Sequence, residues 1–120
     1  MGPVGVGAYR PLSRAAVRLR RNRFEDVISR QLAYFERDEA DLIRQCEEAE
    51  QRYERSDRDD AEELYGEYVD LVEAGTEVLA DLRWSYAATL DEEAAEAYEE
   101  EFNRAVKKRL PRFGSEIDLR

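Results

Sequence analysis

Apolar residues return at helical intervals along most of the chain, and the middle of three such stretches is the broadest. Between Arg58 and Ala88 the residues Leu64, Tyr65, Tyr68, Leu71, Val72, Val78, Leu79, Leu82 and Tyr86 recur over about four heptads. They sort into three parallel series, Ala61/Tyr68/Gly75/Leu82, Leu64/Leu71/Val78 and Tyr65/Val72/Leu79/Tyr86. A stripe that broad needs more cover than one partner helix provides. Gly75 lies on it, where the missing side chain admits a backbone or a tyrosine ring at close range.

The flanking stretches predict two more helices. From Arg23 to Arg55, Ile28, Leu32, Phe35, Leu42, Cys46, Ala49 and Tyr53 follow an alternating four-three spacing, with Glu39 the one charged position in the seam and no Gly or Pro to interrupt it. Ser56-Asp57-Arg58-Asp59-Asp60 reads as a turn, with Ser56 and Asp59 spaced as a capping box. The same register shift also suits a stutter in one unbroken rod of about 65 residues, which would be about 100 Å long. Thr89 as N-cap with Glu92 three residues on opens the third helix. It runs through Tyr98, Phe102, Val106 and Leu110, acidic at its start and basic at Lys107, Lys108 and Arg109. Pro111 should end it. Residues 111–120 then read as a tail in which Phe113, Ile117 and Leu119 alternate with polar residues, a pattern that suits an extended strand added to a partner.

The expected architecture is therefore all-α: an antiparallel hairpin of two long helices, about 23–55 and 58–88, with a third at 90–110, resembling a three-helix bundle. An N-terminal arm at 1–22 and a C-terminal tail at 111–120 flank this helical domain at 23–110. At 120 residues the chain suits one domain with a modest core. No apolar run approaches the roughly 18 residues that span a bilayer.

Charge changes the picture at the N-terminus. The net charge of −10 conceals a basic arm on an acidic body. Arg10, Arg14, Arg18, Arg20, Arg21 and Arg23 stand in a stretch of 24 residues without a single acid, whereas the rest of the chain holds all 29 acids against the other 13 of the 19 bases. Ser13 is placed to cap a short helix over 13–22, with Arg14, Arg18 and Arg21 on one face and Leu12, Ala16 and Leu19 on another. Such an arm suits nucleic-acid phosphates, an acidic protein, or the acidic body of its own chain or of a neighbouring copy.

Candidate chemistry is sparse. Without histidine the chain lacks the commonest general base and the commonest transition-metal ligand, and Glu-x-x-His di-iron pairs are impossible. Cys46 is the only cysteine, which precludes an internal disulfide and favours a reducing, cytoplasmic setting. Its place in the seam reads as a small buried side chain rather than a reactive thiol. Acid clusters at Asp59, Asp60, Glu62 and Glu63, and at Glu92, Glu96, Glu99 and Glu100, fall at helix starts and on polar faces, where dipole and solvation favour them. No catalytic residue, metal ligand, cofactor or small-molecule substrate is expected.

The expected function is a non-enzymatic protein-interaction or assembly role, with self-association through Leu64, Tyr68, Leu71, Val72 and Leu79 of the second helix and with Trp84, off the main seam, either covering the third helix or serving as an exposed anchor. The alternatives are nucleic-acid binding through the arginines of the arm, and neutralisation of a basic partner by the acidic body, as an inhibitor or immunity protein does it.

Overall fold

A computed structural model describes residues 22–120, so Arg10, Arg14, Arg18, Arg20 and Arg21, together with the short helix expected at 13–22, lie outside the described residues save for Asn22, which is in a turn. The described chain is all-helical: α1 (Glu25–Asp38), α2 (Ala40–Glu54), α3 (Ala61–Ala87), α4 (Glu92–Arg109) and α5 (Pro111–Ile117). Five helices stand where the sequence suggests three, for two local reasons.

The first is Glu39, the charged position in the first seam. Its backbone unwinds to φ −109°, ψ 28° between α1 and α2. Hydrogen bonds continue on both sides, from the Glu39 N–H to the Phe35 carbonyl (2.8 Å) and from the Ile43 N–H to the Glu39 carbonyl (2.9 Å), so the irregularity is a single residue wide. A regular helix would carry this carboxylate into the core at a high desolvation cost; the local unwinding leaves it half-buried.

The second is Pro111. It ends α4, as expected, but also occupies the first turn of α5, where its missing N–H has no intrahelical partner to lose and its fixed φ suits a helix start. Leu110, at φ −130° and ψ 61°, makes the corner. The expected C-terminal tail is thus a helix over 111–117, and the extended-strand reading of its alternation is overturned. Phe113 and Ile117, four residues apart, face inward at 2% and 0% exposure, while Leu119 lies past the helix end in solvent.

Two expected caps also move. Ser56 does not form a capping box: its hydroxyl donates back to the Tyr53 carbonyl at 2.6 Å, and Asp57 holds the turn instead by accepting the N–H groups of Asp59 and Asp60, both at 3.1 Å. Thr89 closes α3 by donating to the Tyr86 carbonyl at 2.7 Å, and Asp91 caps α4 by accepting the Ala94 N–H at 2.9 Å. An aspartate two residues later competes better because a carboxylate at a helix N-terminus also meets the positive end of the dipole.

On either side of the Ser56–Asp60 turn, α2 and the first half of α3 lie side by side, with the Tyr53 and Tyr65 rings 5.2 Å apart and Arg52 facing Glu67 at 3.3 Å. The core is thickest at the other end, where Phe24, Ile28, Leu32 and Phe35 meet Leu79 of α3, Tyr98, Phe102 and Val106 of α4, and Phe113 and Ile117 of α5. Edge-on ring pairs organise it: Phe24 on Tyr98 at 5.4 Å and Phe35 on Phe113 at 5.5 Å. The Phe113 ring fills the notch at Gly75, where a Cβ would stand 2.4 Å from its Cε1 atom. The close approach expected at Gly75 is therefore made by a phenylalanine of the supposed tail.

Candidate interaction surface

Of the six residues expected to form a partner-binding stripe, the structure takes two into its own core. Val72 and Leu79, at 7% and 0% exposure, belong to the buried cluster. Leu64, Tyr68 and Leu71 are half-buried. Trp84 alone stands out, at 72% exposure, and does not cover α4. The breadth of the stripe was real, but α4, α5 and α1 account for much of the covering it needs.

The uncovered part lies toward the Ser56–Asp60 turn. Tyr53 and Tyr65 are 38% and 50% exposed, and Tyr65 continues to Tyr68 at 6.4 Å, so the three rings form a row along the α2–α3 pair. Arg112, from the first turn of α5, closes the inner end of the row. Its guanidinium lies 5.7 Å from the centre of the Tyr68 ring and donates to the Tyr68 hydroxyl at 3.4 Å and to a Glu50 carboxylate oxygen at 3.3 Å. Burial pushes the Tyr68 phenol above its ordinary value, and the Arg112 charge works against that rise. The segment that carries the row is acidic: residues 40–71 hold twelve Asp and Glu against four Arg.

The junction between arm and body is built differently. Arg23, the one arm arginine described, packs over the Phe24 ring at 5.2 Å and reaches Glu93 at the start of α4, 3.8 Å away. Phe24 sits at the N-cap of α1 and donates its backbone N–H to Glu101 of α4 at 2.9 Å. Glu101 is 7% exposed, and burial pushes its carboxyl above the ordinary value, partly offset by the Phe24 hydrogen bond and the Arg104 charge and reinforced by Glu25. A carboxyl whose folded pKa exceeds its unfolded value favours the fold most below the unfolded pKa and loses that contribution as pH rises through the folded pKa. Glu101→Gln, which keeps an oxygen for the Phe24 N–H, is therefore expected to melt higher than wild type at pH 7, with the difference shrinking at pH 4. Parallel thermal melts check this, and a lower melting temperature for the glutamine variant at pH 7 would contradict it.

Further buried polar groups serve the packing. Arg83, 5% exposed, donates through one terminal nitrogen to the Asn103 amide oxygen (2.7 Å) and the Ile117 carbonyl (3.0 Å), and through the other to the Arg120 carbonyl (2.6 Å). Ion pairs of Lys107 with Asp118 and of Arg120 with Glu77 fasten the same region from outside. Tyr98, fully buried, donates to the Gln31 side chain at 2.9 Å, and burial raises its phenol strongly. Cys46 is fully buried as well, and desolvation, the largest influence on its thiol, pushes its pKa up, away from the reactive thiolate.

On the outer side of α4 a shallow cavity of about 390 Å³ is lined by Glu92, Ala95, Glu96, Glu99, Glu100 and Asn103. Among the described residues no group of three or more Asp, Glu or Cys side chains is arranged to hold a metal ion, and no helix is long and apolar enough to cross a membrane.

Sequence reasoning missed α5, Arg83 and Glu101. The four-residue spacing of Phe113 and Ile117 behind a proline signals the helix; nothing in the sequence distinguishes the two buried ions from the many exposed ones. Comparison with known proteins returns no match: no family model, no curated protein and no solved structure matches the chain.

Proposed function

We propose that the chain is a non-enzymatic helical assembly protein that associates with copies of itself along α3, through the large side chains that its own fold leaves exposed toward either end of that helix. In this assembly protein α1–α2 and α3 are the two arms of an antiparallel hairpin, with α4 as the third helix and α5 as a short covering piece. The observation that carries it is the exposure of Tyr65 and Trp84, 50% and 72%, on a helix whose other large apolar side chains are buried or half-buried. Tyrosine and tryptophan supply large contact area with few rotatable bonds, which makes them the residues that most often anchor an interface. A cytoplasmic setting belongs to the same reading and rests on the lone cysteine of the sequence.

The test replaces exposed residues, because Leu79→Asp would place a charge in the core and unfold the chain whatever its assembly state. Tyr65→Ser combined with Trp84→Ser is expected to reduce the mass measured by light scattering while leaving the melting temperature of the dissociated chain nearly unchanged. A wild type that assembles and a double variant of identical mass would remove this surface from the interface.

For the arm, the contacts of Arg23 with Glu93 and the Phe24 ring favour an acidic protein surface over nucleic acid. Phosphate binding would fall steeply with salt and would be abolished by arginine-to-alanine changes at Arg14, Arg18 and Arg21. Neutralisation of a basic partner by the acidic body would survive those changes.

A further inference from the structure

α5 covers one part of the α2–α3 pair and then stops. Seven residues long, it spans about 10 Å. Its first turn places Arg112 against Tyr68 and Glu50, so a cation already caps the inner end of the tyrosine row. Beyond Tyr68 the row continues uncovered through Tyr65 to Tyr53, on a segment carrying three acids for each base. An occupant of this face has to be apolar enough to pack on tyrosine rings and basic enough to offset the surrounding carboxylates. A second copy of the same face fails the second requirement, since like charge would meet like charge.

The chain carries a segment with both properties. Residues 10–21 hold five arginines and no acid, with Leu12, Ala16 and Leu19 at helical spacing between them. Arginine also stacks on tyrosine faces, as Arg112 and Arg37 do within the body. Docked as the helix its sequence predicts over 13–22, the arm falls short of the row of its own molecule. Phe24 packs against Tyr86 at one end of α3, and Tyr65 stands 21 residues earlier on the same helix, about 32 Å away. With residues 13–22 held in that helix, Arg14 lies no further than about 20 Å from Phe24, short of Tyr65.

We infer that the Tyr53–Tyr65–Tyr68 row is the docking site for residues 10–21 of another copy of the chain, which makes assembly head-to-tail. This deepens the self-association proposed above and rests on it. A heterologous contact of this kind leaves each assembled unit with one free arm and one free row, so growth does not close at a dimer unless the geometry forms a ring. Added salt weakens the contact, because its charges lie on exposed side chains.

Complementation tests it with full-length chains. One variant carries Arg14→Ser, Arg18→Ser and Arg21→Ser; the other carries Tyr53→Ser and Tyr65→Ser. All five changes lie on the arm or on exposed surface, and circular-dichroism melts of both variants verify that the fold is retained. Each variant alone is expected at the monomer mass of 14.0 kDa, while an equimolar mixture forms a species of twice that mass, because the intact arm of one meets the intact row of the other. The inference is overturned if either variant alone assembles as wild type does, or if the mixture stays monomeric; in both cases a self-associating wild type leaves the broader proposal standing on another surface. A wild type that is monomeric at every concentration overturns both.

Discussion

Gly75→Ala is expected to destabilise the fold by up to about 2 kcal/mol, although it places the best helix former where a helix holds glycine. The intrinsic gain is about 1 kcal/mol. Against it, the new Cβ would lie 2.4 Å from Cε1 and 2.9 Å from Cζ of Phe113. That ring is 2% exposed and held edge-on by Phe35 at 5.5 Å, so it has no free space to swing into, and forcing a methyl group into such packing costs roughly 1–3 kcal/mol. Gly66 on the same helix supplies the control. A Cβ there meets nothing within 4 Å, so Gly66→Ala should stabilise by up to about 1 kcal/mol. Equilibrium urea unfolding of both variants decides the matter, and stabilisation by both alanines would mean that Phe113 does not occupy the notch. Phe113→Ala alone should cost about 3–5 kcal/mol, and Gly75→Ala added to it should be nearly harmless, since the clash has no second partner left.

Arg83→Met is expected to be costlier than the glycine change, on the order of 2–4 kcal/mol, because each buried acceptor left without a donor loses about 1–3 kcal/mol. A buried ion pair is often replaceable by apolar residues when both partners go. Here two of the three acceptors are main-chain carbonyls, of Ile117 and Arg120, and no substitution removes them. Arg83→Lys should rescue little, since a single ammonium cannot span acceptors that the guanidinium meets with two nitrogens. The loss should concentrate at the C-terminal end. Hydrogen exchange in α5 is expected to accelerate more than exchange in α2, and a methionine variant within about 0.5 kcal/mol of wild type with unchanged α5 exchange would contradict this role.

These positions show what was legible in the sequence. The α3 stripe and the inward face of α4 were, because over 27 and 18 residues the 3.6-residue period is repeated often enough to be unambiguous. The interruption at Glu39 was marked by the one charge in its seam, though the pattern alone does not say that a charge bends a helix rather than snorkels from it. α5 was not legible as a helix, because seven residues give fewer than two full repeats and a proline at its head reads first as a terminator. That one omission propagated to the site. Without α5, two further helices are too little cover for so broad a stripe, and its excess, Val72 and Leu79 included, reads as an interface. Periodicity reports that a face is buried; it does not report by what. Arg83 and Glu101 were invisible for a related reason, since in a chain rich in charge only the folded surroundings reveal which ions lie inside.

The aromatic row was half visible. Tyr34, Tyr53, Tyr65, Tyr68, Tyr86 and Tyr98 fall on the expected helices, where a tyrosine suits the edge of a core or an interface, but which of them remain open depends on where α5 ends. Tyr98 is fully buried, whereas Tyr65 is half in solvent, and no local feature of the two sequences separates them.

Assembly itself is most directly measured by light scattering of the wild-type chain across a concentration series at low and high salt. The proposed contact requires a mass that rises above 14.0 kDa with concentration and returns toward it as salt is added. A mass of 14.0 kDa at every concentration and both salt levels would contradict it.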